Sequence, residues 1–446
     1  MLKGIIRGSE VRFQNLASSA LKLSKEMFNF VHWGKDHGLD LQASIEFNDY
    51  NTLGMGYGVT LKEPIQCGTK LFRFPCRHTI SSADDGPFKT SELTKIKANA
   101  EAIQKDYFEF DKAKGKYTYN LLLLTYKLLC YKNIKDSSMK GYVESLPFVE
   151  LPNLATWRME VLSEVESRSL IDHIKSIYSV INRFYYRLFE TDDGKLPPIP
   201  ADDFRWTLAL VGSRYAPIQT KDNTLYLCPF IDYLNHSFTP NCELTLEEDQ
   251  NEKWIAARSL CDIKENEQLL INYGNMSNYM LAQKYGFAIK GNPYSCIPIV
   301  IGSDKYSEII EDGIETKKEL VKKHLGIKAY EARNGLLYKD KVDNNLLAQL
   351  RIWLMDPMDV ISVYEEKKFD FTKRLNKSNE ARVKDVLLDT LYSKWQRVSK
   401  IDYKKAKEEL KVFKTIHDYN LYTARILEEE EYEILKYNID VAKKLT

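Results

Sequence analysis

No Cys-x-x-Cys pair occurs in this sequence of 446 residues, and its seven cysteines are scattered along the chain. Structural zinc sites are usually built from such closely spaced pairs, so we expect no metal. A disulfide framework is also disfavoured, because disulfide-rich secreted domains are short and carry an even number of cysteines. The cysteine pattern therefore favours a reducing compartment. We expect the cytoplasm, and the nucleus stays open as a second location.

An excess of one charge and a long apolar run are also missing. The formal net charge is +1, so no bulk positive field indicates a nucleic-acid partner. No apolar run approaches the roughly 20 residues of a membrane-spanning helix. With 44% hydrophobic and 28% charged residues, the composition is that of an ordinary globular protein, and the length suggests two or three domains.

The first 25 residues are basic, with five Lys and Arg against the single acid Glu10. An organelle-targeting peptide stays open on this composition. We favour a plain amphipathic first helix, and no secretory pattern is visible. The apolar residues that would share one face of this helix are Leu16, Ala20, Leu23 and Met27.

Apolar periodicity predicts further elements. The predicted helices are Ser24–Gly38, Tyr117–Tyr131, Glu160–Phe189, Phe204–Arg214, Glu308–His324, Asn345–Leu354, Asn379–Val398 and Tyr403–Lys436, and the predicted strands are Ile45–Tyr50, Gly58–Leu61, Lys70–Phe74 and Leu225–Leu234.

Polar residues occur where apolar stretches end. Asn235 and His236 directly follow the apolar run Leu225–Leu234, at the start of a turn-rich stretch. A buried strand that ends in polar side chains commonly places them in a pocket, although both residues could simply cap a turn. Two later stretches show the same juxtaposition, namely Ile271-Asn272-Tyr273-Gly274 and Tyr285-Gly286-Phe287.

Glycines recur upstream at positions 54, 56 and 58. They let the backbone turn tightly and approach a ligand, although an ordinary glycine hairpin would show the same pattern. A dinucleotide-binding fingerprint does not fit, because the third glycine comes one residue early and a predicted strand follows it.

These motifs, in this order, resemble the SET domain of protein methyltransferases. They are most similar to the branch of Rubisco large-subunit methyltransferase and its relatives that act on non-histone proteins. The resemblance implies an α+β fold, with a SET domain of short twisted β-sheets, a helical insertion and an all-α C-terminal domain. The implied boundaries are 1–40 for an N-terminal helical segment, 41–84 and 206–295 for the two halves of the SET domain, 85–205 for the insertion and 296–446 for a helical, substrate-binding-like domain.

The resemblance also implies roles for individual residues. Tyr273 matches the catalytic tyrosine, Tyr285 matches a residue that lines the lysine channel, and Arg214 matches an arginine that faces both cofactor and substrate. His236 matches a residue that holds the cofactor, so we do not expect it to act as a general base. The residues expected to contact S-adenosyl-L-methionine are Gly56, Gly58, Thr69, Leu71, Arg214, Asn235, His236 and Phe287. The family often has Glu where Thr69 stands.

The function implied is S-adenosylmethionine-dependent methylation of a lysine in a non-histone protein, with a ribosomal protein or translation factor suggested by family analogy alone. The attacking amine must be uncharged although free lysine has a pKa near about 10.4, so a desolvating channel and close positioning are needed. We expect a metal-free monomer whose partner is a protein substrate.

Two alternatives stay open. The first is a catalytically weak SET protein that serves as a protein-binding scaffold. The second is a histidine methyltransferase, since a histidine-methylating subgroup of the branch tends to carry an amide side chain two residues past the arginine. Ala216 occupies that position here, which favours lysine.

Overall fold

A computed structural model describes nine stretches of the chain. They are residues 28–49, 56–108, 111–147, 151–190, 199–300, 304–326, 334–366, 369–398 and 413–445. The predicted targeting or helical segment over the first 25 residues, and the glycine at position 54, lie outside these stretches. The described part of the first predicted helix covers residues 28–36.

The strands of the amino-terminal and central regions form several small sheets, as a SET fold requires. The largest is antiparallel, and its four strands are, in spatial order, Asp40–Leu41, Lys70–Pro75, Glu252–Ser259 and Cys242–Asp249. The two-stranded sheets here are Ile45–Asp49 with Tyr57–Leu61, Ile80–Ser81 with Tyr226–Leu227, and Asn235–His236 with Leu270–Ile271. The strands predicted at 45–50, 58–61 and 70–74 are thereby confirmed.

The strand predicted over Leu225–Leu234 is wrong. Only Tyr226–Leu227 is extended, and a turn of 3-10 helix over Ile231–Tyr233 precedes the two-residue strand Asn235–His236. The run breaks because Pro229 has no N–H for a ladder and Phe230 adopts a left-handed backbone with φ of 71°. The run is apolar because it is buried, and the ring of Phe230 stacks 4.2 Å from that of Phe30.

Helices fill the insertion. They are Thr90–Phe108, Lys112–Asn133, Lys140–Ser145, Met159–Glu164, Arg168–Tyr185 and Ala201–Arg214. The single helix predicted over Glu160–Phe189 is wrong, because the chain leaves the helix after Glu164 and restarts at Arg168. Ser167 caps the new helix by accepting a hydrogen bond from the Leu170 N–H, a role that favours the start of a helix at this position.

The C-terminal region is predominantly helical, as predicted. Its helices are Ser307–Glu311, Ile314–Leu325, Asn344–Trp353, Pro357–Glu366, Lys377–Trp395 and Ile416–Lys443. The all-α prediction missed one antiparallel ribbon, Cys296–Val300 with Asn334–Tyr338. The ribbon forms because Ile297, Ile299 and Leu337 alternate with exposed residues and so bury one face.

Two large hydrophobic cores and a small third cluster organise these elements. One large core lies between the SET sheets and the insertion helices, and the other holds the C-terminal helices against helix Arg168–Tyr185 of the insertion. The small cluster lies between helices Thr90–Phe108 and Lys112–Asn133. Among the described helices, none is long and apolar enough to cross a membrane.

Candidate active site

Two short parallel strands bring the predicted polar residues together. Asn235 pairs with Leu270, and His236 pairs with Ile271, so Tyr273 follows its strand directly beside His236. The Tyr273 N–H donates to Nδ1 of His236 at 3.1 Å, and the Tyr273 hydroxyl donates to the Leu234 carbonyl at 2.6 Å. The pairing of the two strands and the hydrogen bond from Tyr273 to His236 thus bring Asn235, His236 and Tyr273 into one cluster.

Strand Tyr57–Leu61 closes the other side of this cluster. The Asn235 side-chain amide donates to the Tyr57 carbonyl at 3.2 Å. Gly58 is the next residue along the chain. Gly56 precedes this strand with φ of +70°, and among the described residues nothing lies within 4 Å of the position that a side chain would occupy there.

Aromatic rings complete the site. The rings of Tyr273 and Tyr285 stack with centroids 4.4 Å apart and planes inclined by 29°. The His236 ring lies 5.2 Å from Tyr273 and 5.9 Å from Phe287, and Tyr285 lies 6.1 Å from Phe287. The structure therefore gathers four of the predicted site residues into a single aromatic group.

Burial sets the protonation of this group. Desolvation lowers the pKa of His236 to about 4, so the imidazole is neutral near pH 7. Nδ1 accepts the Tyr273 N–H, so Nε2 carries the proton. This buried Nε2 has no hydrogen-bond partner among the described residues. Burial also raises the pKa of Tyr273, which keeps its hydroxyl protonated.

Arg214 has a partner that sequence reasoning missed. Its guanidinium lies 3.5 Å from Oδ2 of Asp232 and donates to the Asp232 carbonyl at 3.2 Å. The Asp232 side chain is fully buried and also accepts from the Tyr142 hydroxyl at 3.0 Å. An acid inside an apolar run was the available signal for Asp232. Its partners come from segments about 20 and 90 residues away and could not be identified from the sequence.

The buried Asp232 carboxyl should make the stability of the fold decrease as the pH rises. Burial raises its pKa from 3.8 to about 6, with Arg214 opposing the shift. A raised folded-state pKa means that the associated stability is fully present below about pH 4 and is lost as the pH rises through about 6. Relative to Asp232→Asn, the wild type should therefore lose at most about 3 kcal/mol of unfolding free energy over this window, measured by urea denaturation.

Asp385→Asn is the control for that experiment. Lys305 lowers the pKa of Asp385, so its contribution to stability should increase with pH. Equal pH slopes for the two variants would contradict the assignment.

Thr69 and Leu71 stand apart from the cluster. The Thr69 hydroxyl donates to the Gln66 carbonyl, and its N–H donates to Oγ of Ser259. Leu71 is fully buried, and its carbonyl accepts from the N–H groups of residues 42 and 43. None of these hydrogen bonds reaches the aromatic group, so the expected cofactor contact of both residues stays a prediction.

At Gly286 the backbone of the site approaches the insertion closely. A side chain there would lie 2.6 Å from the carbonyl carbon of Pro152 and 2.8 Å from the nitrogen of Asn153, and φ is +84°. The Asn153 side chain also donates to the Lys284 carbonyl. Only glycine lets the turn between Tyr285 and Phe287 approach the insertion this closely.

Gly286→Ala should therefore destabilise the protein more than Gly291→Ala. Both positions have a left-handed backbone, which costs a side chain about 1–2 kcal/mol, but in the described part of the chain nothing lies within 4 Å of a side chain at Gly291. The clash at Gly286 should add roughly 1–3 kcal/mol. Urea denaturation of both variants measures the difference, and equal losses would show that the close approach does not matter.

The C-terminal helix holds the helix Asn278–Lys284, which connects the two site tyrosines. Glu430 accepts from the Asn278 amide and the Ser295 hydroxyl, and Glu431 accepts from the Tyr279 hydroxyl. Burial raises the pKa of Glu430 to about 7. The C-terminal domain is thus bonded directly to the segment that carries Tyr285.

Metal ligands do not converge in the described part of the chain. No group of three or more His, Cys, Asp or Glu side chains there could hold an ion. The metal-free expectation stays a prediction.

Comparison with protein families gives a match to the SET domain over residues 56–274. This range includes Tyr273 and the Asn235–His236 strand, and it ends before Tyr285.

Curated relatives carry a more specific name. The chain is 26% identical over 340 residues to the actin-histidine N-methyltransferase of Canis lupus familiaris, which covers 73% of this chain and 53% of that protein. The Homo sapiens protein of the same name is 26% identical over 339 residues, with 73% and 52% covered. The chain thus spans about half the length of these relatives.

Solved structures share the fold over nearly the whole chain. The SET domain of LSMT bound to lysine and AdoHcy superposes with a TM-score of 0.72 at 18% identity, covering 95% of this chain and 92% of that one. Rubisco LSMT bound to AdoMet gives a TM-score of 0.69 at 18% identity, with 94% and 92% covered. At this identity the likeness concerns the fold.

Proposed function

We propose, from the premise that this chain carries a SET domain, that it transfers a methyl group from S-adenosylmethionine to a nitrogen atom of a protein side chain. The observation that carries the proposal is the cluster in which Tyr273 is hydrogen-bonded to His236 and stacked on Tyr285. A protonated phenol that accepts hydrogen bonds beside an aromatic wall suits a reaction between an amine and a methyl donor.

The residues present fit such a methyl donor. Among the described residues, Nε2 of His236 has no hydrogen-bond partner, so its N–H can donate to an acceptor atom of a ligand. Gly56 precedes Tyr57, whose carbonyl accepts from the Asn235 side chain, and Phe287 supplies an aromatic face that suits a purine. S-adenosylmethionine, when bound, supplies an electrophilic methyl group on a sulfonium.

Lysine is the target that we propose. The rings of Tyr273 and Tyr285 present aromatic faces, which favour packing of the long aliphatic stem of lysine. Ala216, two residues past Arg214, is buried and has no amide that could hold an imidazole. A non-histone protein, such as a ribosomal protein or a translation factor, is the substrate class we retain from the family analogy.

Histidine is the second candidate, and the names of the relatives favour it. Both proteins compared above are called actin-histidine N-methyltransferases. The difference between the targets can be read directly. Labelled methyl transfer into a cell extract, followed by mass spectrometry of the labelled peptide, would place the methyl group on a lysine or on a histidine.

Calorimetric titration with S-adenosylhomocysteine tests the proposal first. The product binds without turnover, so saturable binding at one site would support the methyl-donor pocket. No binding at millimolar ligand would overturn the proposal and favour a scaffold that binds its partner through the C-terminal helices.

Asn235→Ala should weaken S-adenosylhomocysteine binding by about tenfold or more, because it removes one polar contact of a buried pocket. Asn241→Ala is the matched control. The Asn241 side chain also joins these strands, through the Gln268 carbonyl and the Leu270 N–H, without reaching the aromatic group. Equal affinity losses in both variants would indicate a structural effect and remove Asn235 from the pocket.

A further inference from the structure

Lys284 ends the helix Asn278–Lys284 and directly precedes Tyr285. Its ammonium lies 4.2 Å from the centroid of the Tyr215 ring and 5.1 Å from that of Tyr285, and it donates a hydrogen bond to the Tyr215 hydroxyl. Tyr285 stacks on Tyr273, so one ring separates the Lys284 charge from the proposed catalytic tyrosine.

The partners of the Lys284 charge differ from those of the nearby Arg214 charge. The Arg214 guanidinium is paired with the buried Asp232 carboxyl. In the stretches that the structure describes, Lys284 forms no ion pair with a carboxylate. The titratable groups that surround it are phenols: Tyr215 and Tyr285 touch the ammonium, Tyr117 contacts Tyr215 at 5.9 Å, and Tyr273 lies behind Tyr285. Burial raises the pKa of Tyr285, so this phenol stays neutral.

We propose that Lys284 is a specificity-determining residue, a fixed positive charge in the wall of the target channel that disfavours a charged target nitrogen and selects its uncharged form. The inference rests on the proposed function, with Tyr285 lining the channel. Methyl transfer forms a nitrogen–carbon bond with the nitrogen lone pair while the sulfur–methyl bond of S-adenosylmethionine breaks and S-adenosylhomocysteine leaves. An ammonium has no free lone pair, so it must first release its proton to water. A charge that destabilises the bound ammonium raises the fraction of reactive amine.

The size of the effect follows from Coulomb's law. A unit charge within about 10 Å, at an effective dielectric constant of about 20, shifts an amine pKa by roughly one unit. The cation–π contacts and the Tyr215 hydroxyl hold the ammonium of the half-buried Lys284 against the rings of Tyr215 and Tyr285.

The test uses an isotope-labelled, Nα-acetylated Nε-methyl-lysine amide as the probe. The probe is titrated with pH by NMR while bound to the full chain with saturating S-adenosylhomocysteine, and the methyl shift reports the pKa of the bound amine. We expect that pKa to rise by about one unit in Lys284→Met and to stay at the wild-type value in Lys284→Arg, which keeps the charge. A purely structural role would not separate these two variants in this way.

The outcomes are distinct. Equal probe pKa values in wild type and Lys284→Met, with S-adenosylhomocysteine affinity retained, would overturn the inference and leave the proposed function standing. Absence of S-adenosylhomocysteine binding by the wild type would overturn both. Wild-type protein that binds S-adenosylhomocysteine but not the probe would refute the lysine channel, and with it the role of Lys284. Lys284→Gln gives a second neutral variant if Lys284→Met does not fold.

Discussion

Tyr273→Phe should lower the rate of methyl transfer roughly 10²–10³-fold and leave S-adenosylhomocysteine affinity within about twofold of wild type. The substitution removes only the hydroxyl. The backbone N–H that donates to His236 and the ring that stacks on Tyr285 both remain. The loss should therefore fall on the reaction, because the hydroxyl is the group we expect to orient the amine against the methyl group.

Labelled-methyl transfer into cell extract measures the rate, and calorimetry measures the affinity. Tyr185→Phe serves as the control, because it removes a tyrosine hydroxyl that donates to the Ile199 carbonyl in the insertion, remote from the site. Activity in Tyr273→Phe equal to that in Tyr185→Phe would exclude Tyr273 from catalysis. A parallel loss of affinity would assign it to cofactor binding instead.

The grouping of Asn235, His236 and Tyr273 could be predicted because polar residues occur in the sequence where apolar stretches end. Asn235 and His236 form a two-residue strand after a turn of 3-10 helix, and Tyr273 follows the strand Leu270–Ile271. Polar residues where an apolar stretch ends are commonly placed in a pocket. The order of the motifs along the chain then identified the fold. Nothing in this reasoning required knowledge of contacts between distant segments.

What could not be predicted depends on those distant contacts. The Asp232 carboxyl meets Arg214 and Tyr142, and Lys284 meets Tyr215, only because the helices of the insertion pack against the SET sheets. Spacing along the sequence contains no record of these pairs. Both matter for charge at the site, which is why the electrostatics had to await the structure.

Two of the three errors in secondary structure share a physical cause. A continuous apolar run predicts burial but does not distinguish a strand from a buried turn. Leu225–Leu234 is buried as a short strand, a turn of 3-10 helix and connecting residues. Likewise, helical spacing continues along the sequence from Glu160 to Phe189, although the helix is interrupted at Ser167. There the Ser167 hydroxyl donates a hydrogen bond to Glu431 and the Ser167 N–H donates one to Glu428, both on the C-terminal helix.

The largest loss of stability should come from Glu380→Gln in the C-terminal domain. Glu380 and Arg351 form a two-bond ion pair at 2.9 and 2.8 Å, and their side chains are only 1% and 4% exposed. The guanidinium also donates to the carbonyls of Phe371 and Thr372, so it cannot move to water when its partner is neutralised. We expect a decrease of about 3–5 kcal/mol in unfolding free energy, measured by urea denaturation.

Two further variants separate a buried charge from a lost contact. Asp385 lies on the same helix as Glu380, Lys377–Trp395, and forms an exposed ion pair with Lys305. Asp385→Asn should leave stability nearly unchanged, because water screens that pair. The double variant Arg351→Met with Glu380→Leu should regain much of the stability, since it removes both charges and fills the space with apolar side chains. A double variant as unstable as Glu380→Gln would mean that the carbonyl contacts of Arg351, and not its uncompensated charge, hold this part of the domain together.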